Sequence, residues 1–140
     1  MRVVFRVDAS LQMGTGHMMR CLTLAQVLKE NGADVEFICR NHKGNLIDKI
    51  RSSGFVVHEL KVFEETEVDT KLVHSHWLGA TQRQDADDCV DILKAEKYNW
   101  FIGLKGKSSQ IYGRHAIRWG ENVSISNWYL YRFSGKIRYH

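Results

Sequence analysis

The apolar positions of this chain change period several times, and each change marks a predicted element. Residues 1–7 are rich in β-branched side chains and end at Asp8, which predicts a first strand. Leu22, Leu24, Ala25, Val27 and Leu28 then recur at helical spacing, predicting a helix from about His17 to Glu30 that Asn31-Gly32 stops. Residues 33–39 read as a second strand. Residues 40–44 (Arg-Asn-His-Lys-Gly) form a polar loop where a sheet's carboxyl ends present their loops. A short helix over 45–53 carries Leu46, Ile47 and Ile50, and Phe55–Leu60 predicts a third strand. This βαβαβ order argues for a parallel, doubly wound α/β sheet.

Beyond residue 60 the pattern weakens. Residues 61–84 have no clear period, and the acidic run over 64–69 reads as a solvated loop. A helix is expected to begin at Asp85 or Asp87 and run to Lys97, with Cys89, Val90, Ile92 and Leu93 facing inward. Residues 98–102 then predict a fourth strand.

The candidate chemistry sits between the first strand and the first helix. Gly14 and Gly16 fall in that turn, where glycine lets the backbone bend tightly and approach a ligand. The amides that open a helix point at such a ligand, and the helix dipole favours negative charge there. Thr15 lies in the same turn, and Arg20, one turn on, offers a bidentate contact to phosphate. The turn is neither the dinucleotide fingerprint nor the Lys-Ser/Thr phosphate loop. His17 opens the helix, where the dipole disfavours the imidazolium and suits a neutral base.

Together, Arg6-Val-Asp8-Ala-Ser10, Gly14-x-Gly16-His17, Arg20-Cys21-Leu22 and Leu24-Ala25 resemble the opening of the pseudaminic acid biosynthesis UDP-sugar hydrolases. The same signature is similar to the related spore coat polysaccharide biosynthesis proteins of bacilli. His76-Trp77-Leu78-Gly79 and Gln84-Asp85-Ala86 look like a later segment of that family, and the resemblance extends to about residue 102. It implies the N-terminal half of a two-domain, glycosyltransferase-B-type fold made of two Rossmann-like halves, with the active site in the cleft between them. It further implies that His17 activates a water to displace UDP from the anomeric carbon of a UDP-linked diacetamido-trideoxy-hexose. Arg6, Asp8, Ser10, Gly14, Thr15, Gly16 and Arg20 would line the sugar pocket, with no metal and no cofactor. Glycosyl transfer from a UDP-sugar, and a non-catalytic remnant that only binds one, are the rival expectations.

Length qualifies this picture. The chain has 140 residues, one domain's worth at about 100–200 residues per domain. The half that would bind most of the uridine diphosphate is therefore expected to be missing, and the chain alone is expected to be inactive. An intact relative is expected to be a monomer, whereas this piece would expose apolar surface and self-associate.

Charge separates the last segment from the rest. Residues 103–140 hold seven Lys+Arg and one acidic residue, a net of +6, while residues 1–102 carry a net of −2. Trp119, Trp128, Tyr129, Tyr131, Phe133 and Tyr139 stud this basic tail without a helical or strand period. One reading is a nucleic-acid-binding segment, but no recognised module is present and nucleic acid is not an expected partner. The other is a tail out of frame with its ancestral gene. With permitted codons, residues 132–139 can be back-translated to read, one base later, as an acidic-Leu-Ala segment that looks like one the family carries, and such a tail is expected to pack poorly.

The other global features exclude rather than assign. His74 and His76 have no third ligand in reach of sequence, so no metal site is expected. Cys21, Cys39 and Cys89 show no ligand spacing and read as free buried thiols. No apolar run approaches a membrane span, and Met1 leads straight into a strand, so a cytoplasmic protein without a secretory signal is expected.

Overall fold

Parallel pairing of buried strands organises the chain. The computed structural model describes residues 1–11, 14–63, 80–95, 97–104, 119–125 and 128–133. The elements are β1 (Arg2–Arg6), α1 (Gly16–Glu30), β2 (Asp34–Arg40), α2 (Ile47–Ser52), β3 (Val56–Leu60), α3 (Gln82–Ala95), β4 (Trp100–Leu104), β5 (Trp119–Ile125) and β6 (Trp128–Phe133). They form one sheet in the order β3-β2-β1-β4-β6-β5. The first four strands are parallel, with Phe5 of β1 level with Phe37 of β2 and Ile102 of β4.

Alternation along β1 shows why helices cover both faces. Val3, Phe5 and Val7 point to one side, where Met18, Cys21 and Ala25 of α1 and Ile47 and Ile50 of α2 close a core. Phe5 stacks on Phe37, and Phe55 meets Phe37 edge-on. Val4 points to the other side, where Ala86, Cys89, Val90 and Leu93 of α3 pack with Ile38 and Phe101. Strands buried on both faces read as near-continuous apolar runs, as β1 and β2 do. The chain steps outward from β1 to β3 with helices on one face. It then returns through α3 on the opposite face to β4, so the topological switch lies between β1 and β4. Open α/β sheets bind ligands at such a point, outside the carboxyl ends of the strands.

Several boundaries differ from expectation. Helix α3 begins at Gln82, three residues before Asp85, and stops at Ala95, short of Lys97. Thr81 and Gln84 explain the early start. The Gln84 amide donates to Thr81 Oγ1 at 3.0 Å and the Thr81 amide to Gln84 Oε1 at 2.8 Å, a capping box at the helix entry. Strand β4 starts at Trp100 rather than residue 98, because Tyr98 packs under α3 and Asn99 Oδ1 accepts from the Arg2 amide.

The segment read as lacking a strand period contains two strands. β5 and β6 pair antiparallel, and β6 lies antiparallel beside β4, with Ile102 opposite Leu130. The β6 run Trp-Tyr-Leu-Tyr-Arg-Phe is almost wholly aromatic or branched, which suits a pleated sheet even without alternation. On α1, Leu24 and Val27 face outward, so its apolar pattern is wider than the face the sheet covers. The acidic run over 64–69, the His74/His76 pair, segment 76–79 and Tyr139 lie outside the described residues. Among the described residues no helix is long and apolar enough to cross a membrane.

Candidate functional site

The turn after β1 carries most of the expected site residues to the carboxyl edge of the sheet. Ser10 is buried, and its carbonyl accepts the Gly14 amide at 2.9 Å, closing a tight turn. Gly14 takes φ +75°, the left-handed region that side chains disfavour. Thr15 then caps α1 by position alone, making no side-chain cap bond, and the first helical turn has no acidic residue. The first turn of α1 therefore brings no carboxylate of its own to the positive end of the dipole at Gly16 and His17. Gly14, Thr15, Gly16, His17 and Arg20 are all exposed. The structure thus gathers these five at the opening of α1, directly above the switch between β1 and β4.

Arg6 and Asp8 are placed differently. Arg6 leaves β1 on the α3 face and is buried. Its Nη1 donates to Asp8 Oδ1 at 2.5 Å and to the Ile38 carbonyl at 3.4 Å. Its Nη2 donates to Asp8 Oδ2 at 2.8 Å and Asp85 Oδ1 at 2.6 Å, and its Nε to Asp85 Oδ2 at 3.3 Å. A guanidinium has five N–H donors, and here each has a protein acceptor. Asp8 is equally committed. Besides the two Arg6 bonds it accepts the Arg40 amide at 2.7 Å, and His42 Nε2 lies 3.4 Å from Oδ2. The arginine and the carboxylate expected to line a sugar pocket are turned onto each other and away from solvent.

Arg40, Asp85 and Asp88 complete this network; the sequence places Asp85 at a helix start and Arg40 in an edge loop, but gives none of the three a role in the site. Arg40, fully buried at the end of β2, donates through Nη2 to Asp85 Oδ1 at 2.6 Å and to Asp88 Oδ2 at 3.1 Å, and through Nη1 to the Lys61 carbonyl. Asp85 and Asp88 come from the first turns of α3, which the capping box aims at the same edge. The Thr81-x-x-Gln84 spacing was the legible signal for that placement. Nothing in the sequence shows that Arg40 turns inward.

Burial alone would push the Asp8 carboxyl up. The Arg6 charge, the His42 and Arg6 hydrogen bonds and the Arg40 amide outweigh it and hold Asp8 well below the usual carboxylate range. For Arg6, burial works against the charge, but Asp8 and Asp85 win and raise its proton affinity further. The three cysteines are free and buried. Burial, with a smaller push from Asp8, takes the Cys39 thiol up to about 12, and burial raises Cys21 and Cys89 strongly as well. None is an activated nucleophile. Among the described residues no three His, Cys, Asp or Glu side chains gather as a metal site would need.

Comparison with known proteins adds a sequence neighbour and a structural one. No family model matches the chain. A stretch of 64 residues, 46% of this chain, is 38% identical to the UDP-2,4-diacetamido-2,4,6-trideoxy-beta-L-altropyranose hydrolase of Campylobacter jejuni subsp. jejuni. That match spans 22% of the hydrolase's length. The solved structure of Acinetobacter baumannii MurG superposes with a TM-score of 0.54 at 12% identity, covering 80% of this chain and 30% of that one. This second likeness is one of fold: a Rossmann-like α/β unit of the kind found in GT-B proteins.

Proposed function

We propose that this chain is the catalytic-histidine half of a nucleotide-sugar hydrolase that releases UDP from a UDP-linked diacetamido-trideoxy-hexose. One observation carries the reading. An exposed histidine opens α1, three residues past a left-handed glycine, at the switch point of a Rossmann-like sheet. The 64-residue likeness to a hydrolase of that substrate supports the choice of chemistry.

In this reading the diphosphate approaches the positive end of α1, whose first turn holds no acidic residue, with Arg20 beside it. The His17 imidazole takes a proton from water as the water oxygen bonds to the anomeric carbon. The bond from that carbon to the diphosphate oxygen breaks, and UDP leaves with the electron pair. Histidine suits the step because its ordinary pKa of about 6.5 lies near the working pH. Ser10, Gly14, Thr15 and Gly16 shape the pocket floor, while Arg6 and Asp8 act from beneath it. The uridine is held by a second Rossmann-like half of the sort GT-B proteins carry.

Two measurements test this. Titrating the chain with the UDP-sugar should shift the amide resonances of Gly14, Gly16, His17 and Arg20 saturably; no shift there would remove the site. In a full-length hydrolase with the same Gly-x-Gly-His turn, the change equivalent to His17→Asn should cut UDP release by about 10²–10⁴-fold and spare substrate binding. Near-normal release would end the role of the histidine. Free sugar formed without any acceptor separates hydrolysis from transfer.

A further inference from the structure

Two loops meet at the carboxyl edge, and the contacts between them run through Asp8 and through His42, Lys43, Gly44 and Leu11, to which the proposed chemistry gives no part. β2 ends at Arg40, and the loop after it carries His42, Lys43 and Gly44. The Arg40 amide donates to Asp8 Oδ1 at 2.7 Å. His42, itself buried, sets Nε2 3.4 Å from Asp8 Oδ2. Because Asp8 is held ionised it can only accept, so His42 Nε2 carries the proton in this contact. The Lys43 carbonyl accepts the Leu11 amide at 3.1 Å, within the turn that leads to Gly14. Gly44 takes φ +81°, and a Cβ there would stand 2.8 Å from Leu11 Cγ and Cδ2 and 3.0 Å from the Leu11 nitrogen. The loop can lie this close to Leu11 only with glycine at that position.

We propose that the β2–α2 loop is the positioning element of the candidate site: His42 and the Arg40 amide on Asp8, and Lys43 and Gly44 on Leu11, fix the glycine turn that presents His17. Asp8 is then a positioning residue rather than a sugar ligand. Its two oxygens already receive four donors, about the full capacity of a carboxylate. His42 acts through Asp8 and touches no substrate. The proposal rests on the nucleotide-sugar reading for what the turn is for, but the coupling between the loops stands apart from it.

The test is amide hydrogen exchange on the whole 140-residue chain. Leu11, Gly14 and Met19 report the turn, since their amides bond to Lys43, Ser10 and Thr15. Phe5 and Phe37 report the core. His42→Leu should speed exchange at Leu11, Gly14 and Met19 by about ten-fold and leave Phe5 and Phe37 as they are. His42→Gln, which keeps a donor, should restore most of the protection. A general packing role would instead move turn and core together, with no rescue by Gln. Unchanged turn amides in His42→Leu, or equal loss in both variants, would overturn the proposal. Gly44→Ala gives a second test should His42→Leu not fold: it should displace the Leu11, Gly14 and His17 resonances, and their staying in place would equally overturn it. Adding the UDP-sugar to the unaltered chain tests the nucleotide-sugar reading separately. Absence of ligand shifts alongside His42-dependent protection would sink that reading and leave the loop coupling intact.

Discussion

Arg6 Nη2 lies 2.6 Å from Asp85 Oδ1, joining the end of the first strand to the first turn of the third helix across 79 positions of sequence. The same oxygen receives Arg40 Nη2 at 2.6 Å. Two buried guanidiniums therefore share one carboxylate oxygen beneath the glycine turn.

Removing that carboxylate should be costly. Asp85→Ala leaves Arg6 only Asp8 and Arg40 only the half-buried Asp88 as counter-charge, and breaking a buried pair costs about 3–5 kcal/mol. Asp85→Asn keeps an acceptor oxygen and should cost less. Urea unfolding of the two variants checks this, and a loss below about 1 kcal/mol, the level of exposed ion pairs, would show that the network does not hold the edge together.

Acid should weaken the fold through Asp8. Its native carboxyl ionises well below the ordinary range, while in the unfolded chain it titrates near about 3.9. Below that value the unfolded state binds more protons than the native one, so stability falls as pH falls. The contribution is complete above about pH 5 and disappears as pH drops through the native value. Urea midpoints followed from neutral pH to pH 3 should fall more steeply for the wild-type chain than for Asp8→Asn. Parallel curves would contradict the ionised, buried Asp8.

The α3 capping box offers a milder test. Thr81→Ala removes the side-chain acceptor of the Gln84 amide and should cost about 0.5–2 kcal/mol, whereas Thr81→Ser should restore it. Thermal melts of both variants decide the matter. Equal loss in both would mean that the hydroxyl bond contributes nothing at this helix entry.

How far the sequence could be read follows from where each signal sits. Strands β1 to β3 and helices α1 and α2 were legible because apolar periodicity and Gly32 and Gly54 mark them locally. The start of α3 was misplaced because Thr81-x-x-Gln84 is a polar signal standing ahead of the apolar positions that define the helix. Strand β6 was missed because its aromatic run has neither period. In the site, the exposed group from Gly14 to Arg20 was visible as one contiguous motif. The commitment of Arg6 and Asp8 to Asp85, Arg40 and His42 was not, since a buried ion pair is written in two distant pieces. Arg40 looked like a loop arginine because nothing beside it in sequence says that Asp85 and Asp88 wait on the far side of the sheet.

That separation orders how the molecule can be made. A ribosome that has released β1, α1, β2, α2 and β3 has emitted both Arg6 and Arg40, but not the carboxylates of α3 that allow Arg40 to be taken out of water. Until α3 emerges and docks, the edge beneath the glycine turn must stay hydrated and loose. The first half of this domain therefore should not persist alone as a native-like fragment, and the surface that presents His17 is among the last parts of the nascent chain to take its shape.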